Sequence, residues 1–451
     1  MIYREDEKTI FLLNPYHRAS PQKLSRLDGD EALILEKMTG GNDVQGISRS
    51  LEIPEKDVAR IINKFSALGR SAVELLDRPK VRVKAAQRKE AKHNKIFRQM
   101  RSELFSTRTF RADNGTTKEY HQKEIADAME HFNRTELTVS HIFREPNALL
   151  QGKNYGAAFA EVLINQGAIR KGISILEVGG GTGIFGKNFL DQIKGVAPEI
   201  YKTIRYVFFE LSPALLKSQR KISRDHLSVA RFIKGDVSNY DFRDEKFNLI
   251  ISNEMVADLG VVKFRTQDFK QPARQAPDQN KAVDIINRYK IDISDAPDEF
   301  LFNLKAIEFL IFVKKILNPG GKAYIVEYGS PWGYPKATVL KGHVEYSIHF
   351  GHLKRVAQKL RMFHRLTCLT DFLGFDKKVK ILDSLSRSMI NDYLLPFLNH
   401  KGLSQQAYTE DGIKEEIGDV FNRLSFASFS PLGTGNFILD PSVFFALELK
   451  A

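Results

Sequence analysis

The sequence has a single cysteine, Cys368, among 451 residues. One thiol cannot close an internal disulfide, build a cysteine-rich zinc site or hold an iron–sulfur cluster, so radical chemistry on a three-cysteine cluster is excluded. No stretch approaches the roughly 18 uncharged apolar residues that a membrane-spanning helix needs. Internal repeats and low-complexity runs are missing too. The opening residues carry Glu5, Asp6 and Glu7, acids that a targeting peptide avoids, so a cytoplasmic protein is expected. Acids are outnumbered overall, 55 against 68 Lys and Arg, for a net charge of +13. The deficit is local. From Arg78 to Arg111 there are twelve Lys or Arg and two Glu, a net of +10, which leaves 13 − 10 = +3 for the rest. Such a segment can meet nucleic acid (78–111), an acidic partner or a membrane surface, or be a solvated helical linker.

What is present suffices for a large core: 42% of the residues are hydrophobic and 10% aromatic. The length predicts two or three domains. We expect a recognition module over 1–76, a basic helical linker over 77–145 and a catalytic domain over 146–451. In the first, Ile10–Leu13 reads as a strand and Asp30 as the cap of a helix through Ala32–Met38. Val44–Leu51, the tight link Ile53-Pro54 and a helix over Asp57–Leu68 give the pattern of a winged helix-turn-helix, or of a plain three-helix module. Lys84–Phe105 is helix-compatible. From Pro146 onward, strand-like runs at Ser174–Val178, Arg205–Phe209, Arg231–Ile233, Phe247–Ser252 and Ala323–Val326 alternate with helical ones. That alternation predicts an α/β domain with a parallel, Rossmann-like sheet. The stretch after Asp371, with Gly433–Phe437, reads as the end of the same domain.

The strongest motif is Glu177-Val178-Gly179-Gly180-Gly181-Thr182-Gly183, between an apolar strand and the helix Ile184–Ile193. Glycines here let backbone approach a ligand at the carboxyl end of a strand. The spacing is G-x-G-x-G, not the G-x-G-x-x-G of dinucleotide sites. With Glu177 before it, it resembles motif I of class I S-adenosylmethionine (SAM) methyltransferases. The second strand ends at Glu210, which can accept from both ribose hydroxyls. The third leads to Gly235-Asp236-Val237, where Asp236 can accept from the adenine amino group. Leu317–Gly321 is the turn before the fifth strand.

The run Ile204–Pro213, with Leu215 and Gln219-Arg220, resembles the MidA family of SAM-dependent methyltransferases, which includes a mitochondrial complex I assembly arginine methyltransferase. Tyr155-Gly156, Asn253-Glu254 with Leu259, Val261 and Lys263-Phe264, Glu327-Tyr328-Gly329 and His343–Tyr346 resemble further family segments. The likeness covers about Asn154–Asp376. It departs at Met255-Val256, where the family has an aromatic pair. It departs again at Ala257, an aspartate position with Asp258 one residue later, and at Gly260, a proline position.

The resemblance implies SAM as cofactor, with Tyr155, Glu177, Gly179, Gly181, Gly183, Glu210, Leu211, Asp236, Val237 and Asn253 around it. It implies a protein or peptide acceptor, arginine foremost, with Glu254, Asp258 and His343 as catalytic candidates. His343, His349 and His352 crowd one segment, but no ligand set supports a metal, and none is expected. Other readings stay open. The N-terminal segment faintly resembles PqqD-like elements, which would make a leader-guided peptide methyltransferase. A nucleic-acid-binding methyltransferase, an inactive assembly factor and a homodimer are further possibilities. Base methylation is disfavoured, because Asn253–Val256 stands where Asn/Asp-Pro-Pro-Tyr would be and Thr367 precedes Cys368.

Overall fold

The computed structural model describes residues 2–4, 10–13, 24–27, 34, 44–67, 128–134, 138–265, 276–339, 343–382, 387, 390–404, 407–425, 429–431 and 443–451. Apart from Ile34, the helix expected after Asp30 lies outside these residues. So do the basic segment 78–111 with its helix Lys84–Phe105, and Gly433–Phe437.

The chain divides into two compact units: Met1–Thr107 with Lys378–Ile438, and Arg108–Lys377 with Leu439–Ala451. This differs from the catalytic domain expected to run unbroken over 146–451. The reason is strand pairing. Leu424-Ser425 joins the edge of a small antiparallel sheet in the order 424–425, 2–4, 10–13, 24–27. Only the terminal strand Phe444–Lys450 belongs to the large sheet. The smaller unit also holds the helices Val44–Leu51 and Glu55–Ala67. They bury Ile47, Val58, Ile61 and Ile62. This is the apolar spacing of two helices packed on one face.

The larger unit is built on strands β1 (Ser174–Val178), β2 (Arg205–Glu210), β3 (Ala230–Lys234), β4 (Phe247–Asn253), β5 (Leu317–Ser330), β6 (Phe363–Cys368) and β7 (Phe444–Lys450). Their order is β3-β2-β1-β4-β5-β7-β6. β7 runs antiparallel to both neighbours, whereas β3 to β5 are mutually parallel. β1 is buried along its whole length, as a parallel strand covered on both faces must be. Its helices include α1 (Val139–Ile142), α2 (Tyr155–Asn165), α3 (Ile184–Val196), α4 (Pro213–Ile222), α5 (Pro277–Tyr289), α6 (Leu304–Ile316) and α7 (Phe350–Lys359). The turn expected at Leu317–Gly321 is a bulge instead. Leu317 already pairs with Phe247, and pairing resumes at Lys322 opposite Leu249.

Strand order reverses between β1 and β4, so the connections leave to opposite sides and open a crevice at the strands' carboxyl ends. Glu210, Asp236 and Glu254 stand at or just beyond the ends of β2, β3 and β4.

Candidate active site

A cleft of about 410 Å3 opens there. On one side it is lined by Gly179 and Gly181 after β1, Glu210 and Leu211 at the end of β2, and Asp236 and Val237 after β3. Gly181 sits at φ +53°, a left-handed conformation that L side chains rarely adopt. Gly183, at φ +90°, lies where a Cβ would come 2.7 Å from the Gln219 Cα. It does not line this cleft, and it stands at the start of α3, where it lets the loop turn into the helix. Gln219 is fully buried, and its Nε2 donates to the Gly181 carbonyl at 3.0 Å and to Glu210 at 3.1 Å. The side chain thus ties the glycine loop to the acid at the end of β2. Sequence reasoning gave it no role. The Ser212 N–H also donates to Glu210 at 2.9 Å, and the Ser238 N–H donates to Asp236 at 2.9 Å. Both carboxylates are held in place before any ligand arrives.

Glu177 is buried beneath the loop rather than on the main cleft, and the Tyr206 hydroxyl donates to it at 2.8 Å. Burial pushes its carboxyl up to about 8, the Tyr206 bond opposes this and the charge of Glu210 adds to it. Tyr155 is also internal. Its hydroxyl donates to Asn253 Oδ1 at 2.6 Å, and neither residue lines the main cleft. Direct cofactor contact expected of Tyr155 differs from this placement: the ring is fully buried under the site.

On the other side the cleft is lined by Glu254, Met255, Asp258, Lys305 and Tyr346. Glu254 is a half-buried residue in left-handed backbone, φ +55°. Its carboxylate accepts from the N–H groups of Val139 at 2.6 Å and Ser140 at 3.0 Å, and from Asn253 Nδ2 at 3.0 Å. Burial raises its carboxyl above the usual range, and these bonds pull the other way. The foremost catalytic candidate thus lines the cleft while its carboxylate is engaged by the backbone of α1.

Asp258 stands at the end of a short turn, Val256–Asp258, despite the one-residue departure in sequence. Buried Glu327 from β5 holds that turn by accepting from the Ala257 N–H at 3.0 Å. Burial raises the Glu327 carboxyl, and the charges of Glu345 and Glu254 add to the rise. His343, its side chain buried, approaches Glu345 Oε1 at 3.3 Å and Asp258 Oδ1 at 3.7 Å, both through Nε2. Among the described residues, Asp258, His343 and Glu345 form the one group with ligand atoms close enough, within 4.8 Å, to hold a cation. No metal was expected, and Glu345 was not singled out from sequence. The signal was its spacing, two residues from His343 on one face of the strand Val344–Tyr346. His349 and His352 instead stack on each other with centroids 3.6 Å apart, inside the fold. Burial and His349 hold the His352 imidazole down to about 3.

Residues 155–350 match a protein family described as putative S-adenosyl-L-methionine-dependent methyltransferases. No protein of curated function matches. Among solved structures, a Burkholderia thailandensis protein bound to S-adenosyl-homocysteine is 12% identical, over 68% of this chain and 78% of that one, with a TM-score of 0.40. A second structure from Burkholderia thailandensis is 12% identical over 75% and 87%, with a TM-score of 0.42. The N-methyltransferase NodS from Bradyrhizobium japonicum is 12% identical over 56% and 90%, with a TM-score of 0.30. The assignment rests on the family match and on the site, not on these resemblances.

The residues fit the cofactor. A bare glycine loop, two pre-held carboxylates and a cleft of nucleoside size meet at one sheet edge. The larger unit is a SAM-dependent methyltransferase of Rossmann-like fold. Its cofactor is S-adenosyl-L-methionine.

Proposed function

We propose that this enzyme methylates a nitrogen of an arginine side chain in a protein or peptide, as its MidA-like motifs imply. The observation that carries the reading is the acidic wall: Asp258 on the cleft and Glu345 converge on His343, with Glu327 buried behind them. A guanidinium fits carboxylates through a planar fork of donors. Glu210 and Asp236 would hold the ribose and adenine, and Gly179–Gly183 the approach to them. The bound cofactor supplies an electrophilic methyl group on a sulfonium, which leaves as a thioether. Asp258 aligns the acceptor nitrogen and takes the proton it sheds as the new carbon–nitrogen bond forms. His343 and Glu345 keep Asp258 oriented.

The smaller unit is read as the recognition module, winged-helix or PqqD-like, of a cytoplasmic protein. A leader-guided peptide methyltransferase is the second reading, and one observation favours it. Leu24–Leu27 closes its sheet with a partner on one side only among the described residues. Such an edge can take up a peptide strand. The test is incubation of the full chain with SAM and arginine-containing peptides, followed by intact mass and fragmentation. A methyl mass on arginine, absent from the Arg→Lys peptide, supports the proposal. Methyl on any other atom, or none on any peptide, overturns it.

A further inference from the structure

Glu254 lines the main cleft, and both of its carboxylate oxygens are engaged by hydrogen bonds. Both accept from the first backbone N–H groups of α1, which lies 114 and 115 residues earlier in the chain. A third donor, Asn253 Nδ2, is itself oriented by the Tyr155 hydroxyl. The result is a chain of bonds Tyr155–Asn253–Glu254–α1.

The segment so gripped is a roof. A second, small cavity of about 40 Å3 lies over the glycine loop. Thr138, Ser140, His141 and Phe132 line it from above, and Gly179–Thr182 from below. Phe132 is buried, and a Cβ at Gly181 would meet its ring at 3.1 Å. The His141 ring packs on Phe132 with centroids 5.8 Å apart. Thr138 closes the helix start by accepting from the His141 N–H at 3.2 Å. Glu254 lines both this cavity and the main cleft, so it stands at the partition between them. Its left-handed backbone is a sparsely populated conformation for glutamate, held here by the surrounding bonds.

We propose that Glu254 is a positioning residue, the clamp that fastens the 138–142 roof over the glycine loop and thereby sets how fast the cofactor leaves. It rests on the cofactor site, not on the identity of the acceptor. A carboxylate makes this clamp because both of its oxygens accept. A glutamine offers one acceptor, and its amide would face N–H groups with N–H. Glu254→Gln therefore loosens the roof without touching the proton acceptor Asp258.

The first readout is backbone amide exchange of the full chain without cofactor, at one neutral pH. In Glu254→Gln the amides of Val139 and Ser140 exchange at least roughly tenfold faster, while those in β1 and β4 keep wild-type rates, the signature of local opening. The second is kinetic. SAM dissociation quickens and its KM rises by about tenfold, while kcat at saturating SAM holds. Tyr155→Phe, which releases Asn253, moves the same amides in the same direction by less and keeps the test open if the glutamine variant does not fold. Wild-type exchange at Val139 and Ser140 in the folded variants overturns the clamp. So does a kcat loss of ~10²-fold or more with unchanged SAM affinity, which is the mark of a proton acceptor. Failure of every peptide to be methylated would overturn the acceptor reading alone, because the exchange experiment needs no acceptor.

Discussion

The two walls of the cleft are built differently. On the wall proposed for the cofactor, each carboxylate is held by residues close in sequence: Glu210 by the Ser212 N–H and by Gln219 Nε2, two and nine residues on, and Asp236 by the Ser238 N–H two residues on. On the acceptor wall, position comes from afar. Glu327 holds the turn bearing Asp258 across 70 residues, and Glu254 holds α1 across more than a hundred. A wall built from local bonds is a transferable cofactor cradle. A wall assembled from distant segments can be retuned by changing any of them, which is how one fold comes to serve different acceptors.

Substitutions separate the walls. The largest effect is expected for Asp258→Asn. Turnover with an arginine peptide falls by ~10²–10⁴, as for loss of a proton acceptor. Steady-state rates at saturating SAM measure it, and unchanged kcat would remove Asp258 from the chemistry. Gly181→Arg acts on the other wall. It puts a side chain into the cleft at a left-handed φ that side chains rarely adopt, and weakens SAM binding by about a hundredfold or more. Equilibrium dialysis with labelled SAM reads this directly.

A smaller effect lies beneath the cofactor wall. Glu177 titrates near 8 in the fold, against an ordinary value of 4.5. The folded state therefore binds the proton more tightly than the unfolded chain. That contribution is complete below about 4.5 and is lost as pH rises through about 8. Glu177→Gln should match the wild type in thermal melts near pH 4 and exceed it increasingly toward pH 8. A constant offset across that range would contradict the assignment. The smallest expected effect is none: in the proposed reaction the Asp258–His343–Glu345 group serves a cationic acceptor, so a chelator should leave turnover unchanged. Loss of activity that a divalent cation restores would assign the group to a metal instead.

The contrast also explains what the sequence made legible. The five parallel strands and the helices at Val44–Leu51 and after Gly183 follow from local apolar patterns, and they lie within a few residues of where those patterns put them. The acids ending β2 and following β3 were readable because strand end and ligand-facing position coincide. Asp258 was readable only as a departure, and Glu345 only by its spacing from His343, because their meeting on that ring depends on two segments brought together by the fold. Glu254, at the end of the fourth strand, reads from sequence as the foremost catalytic acid or as a hydrogen-bond partner for a nearby loop. Nothing local announces that Val139 and Ser140 cap it. The grouping of 378–438 with the N-terminal residues was not legible for the same reason: the two residues Leu424-Ser425 carry no mark of pairing with Ile2 and Tyr3.

The most direct measurement is calorimetric titration of SAM into Glu210→Ala and Asp258→Asn beside the wild type. Loss of Glu210 removes a charged acceptor and should cost about 1–3 kcal/mol of binding, roughly a ten- to hundredfold weaker Kd. Asp258→Asn should bind SAM as the wild type does. Equal weakening in both variants, or wild-type affinity in Glu210→Ala, would contradict the division of the cleft into a cofactor wall and an acceptor wall.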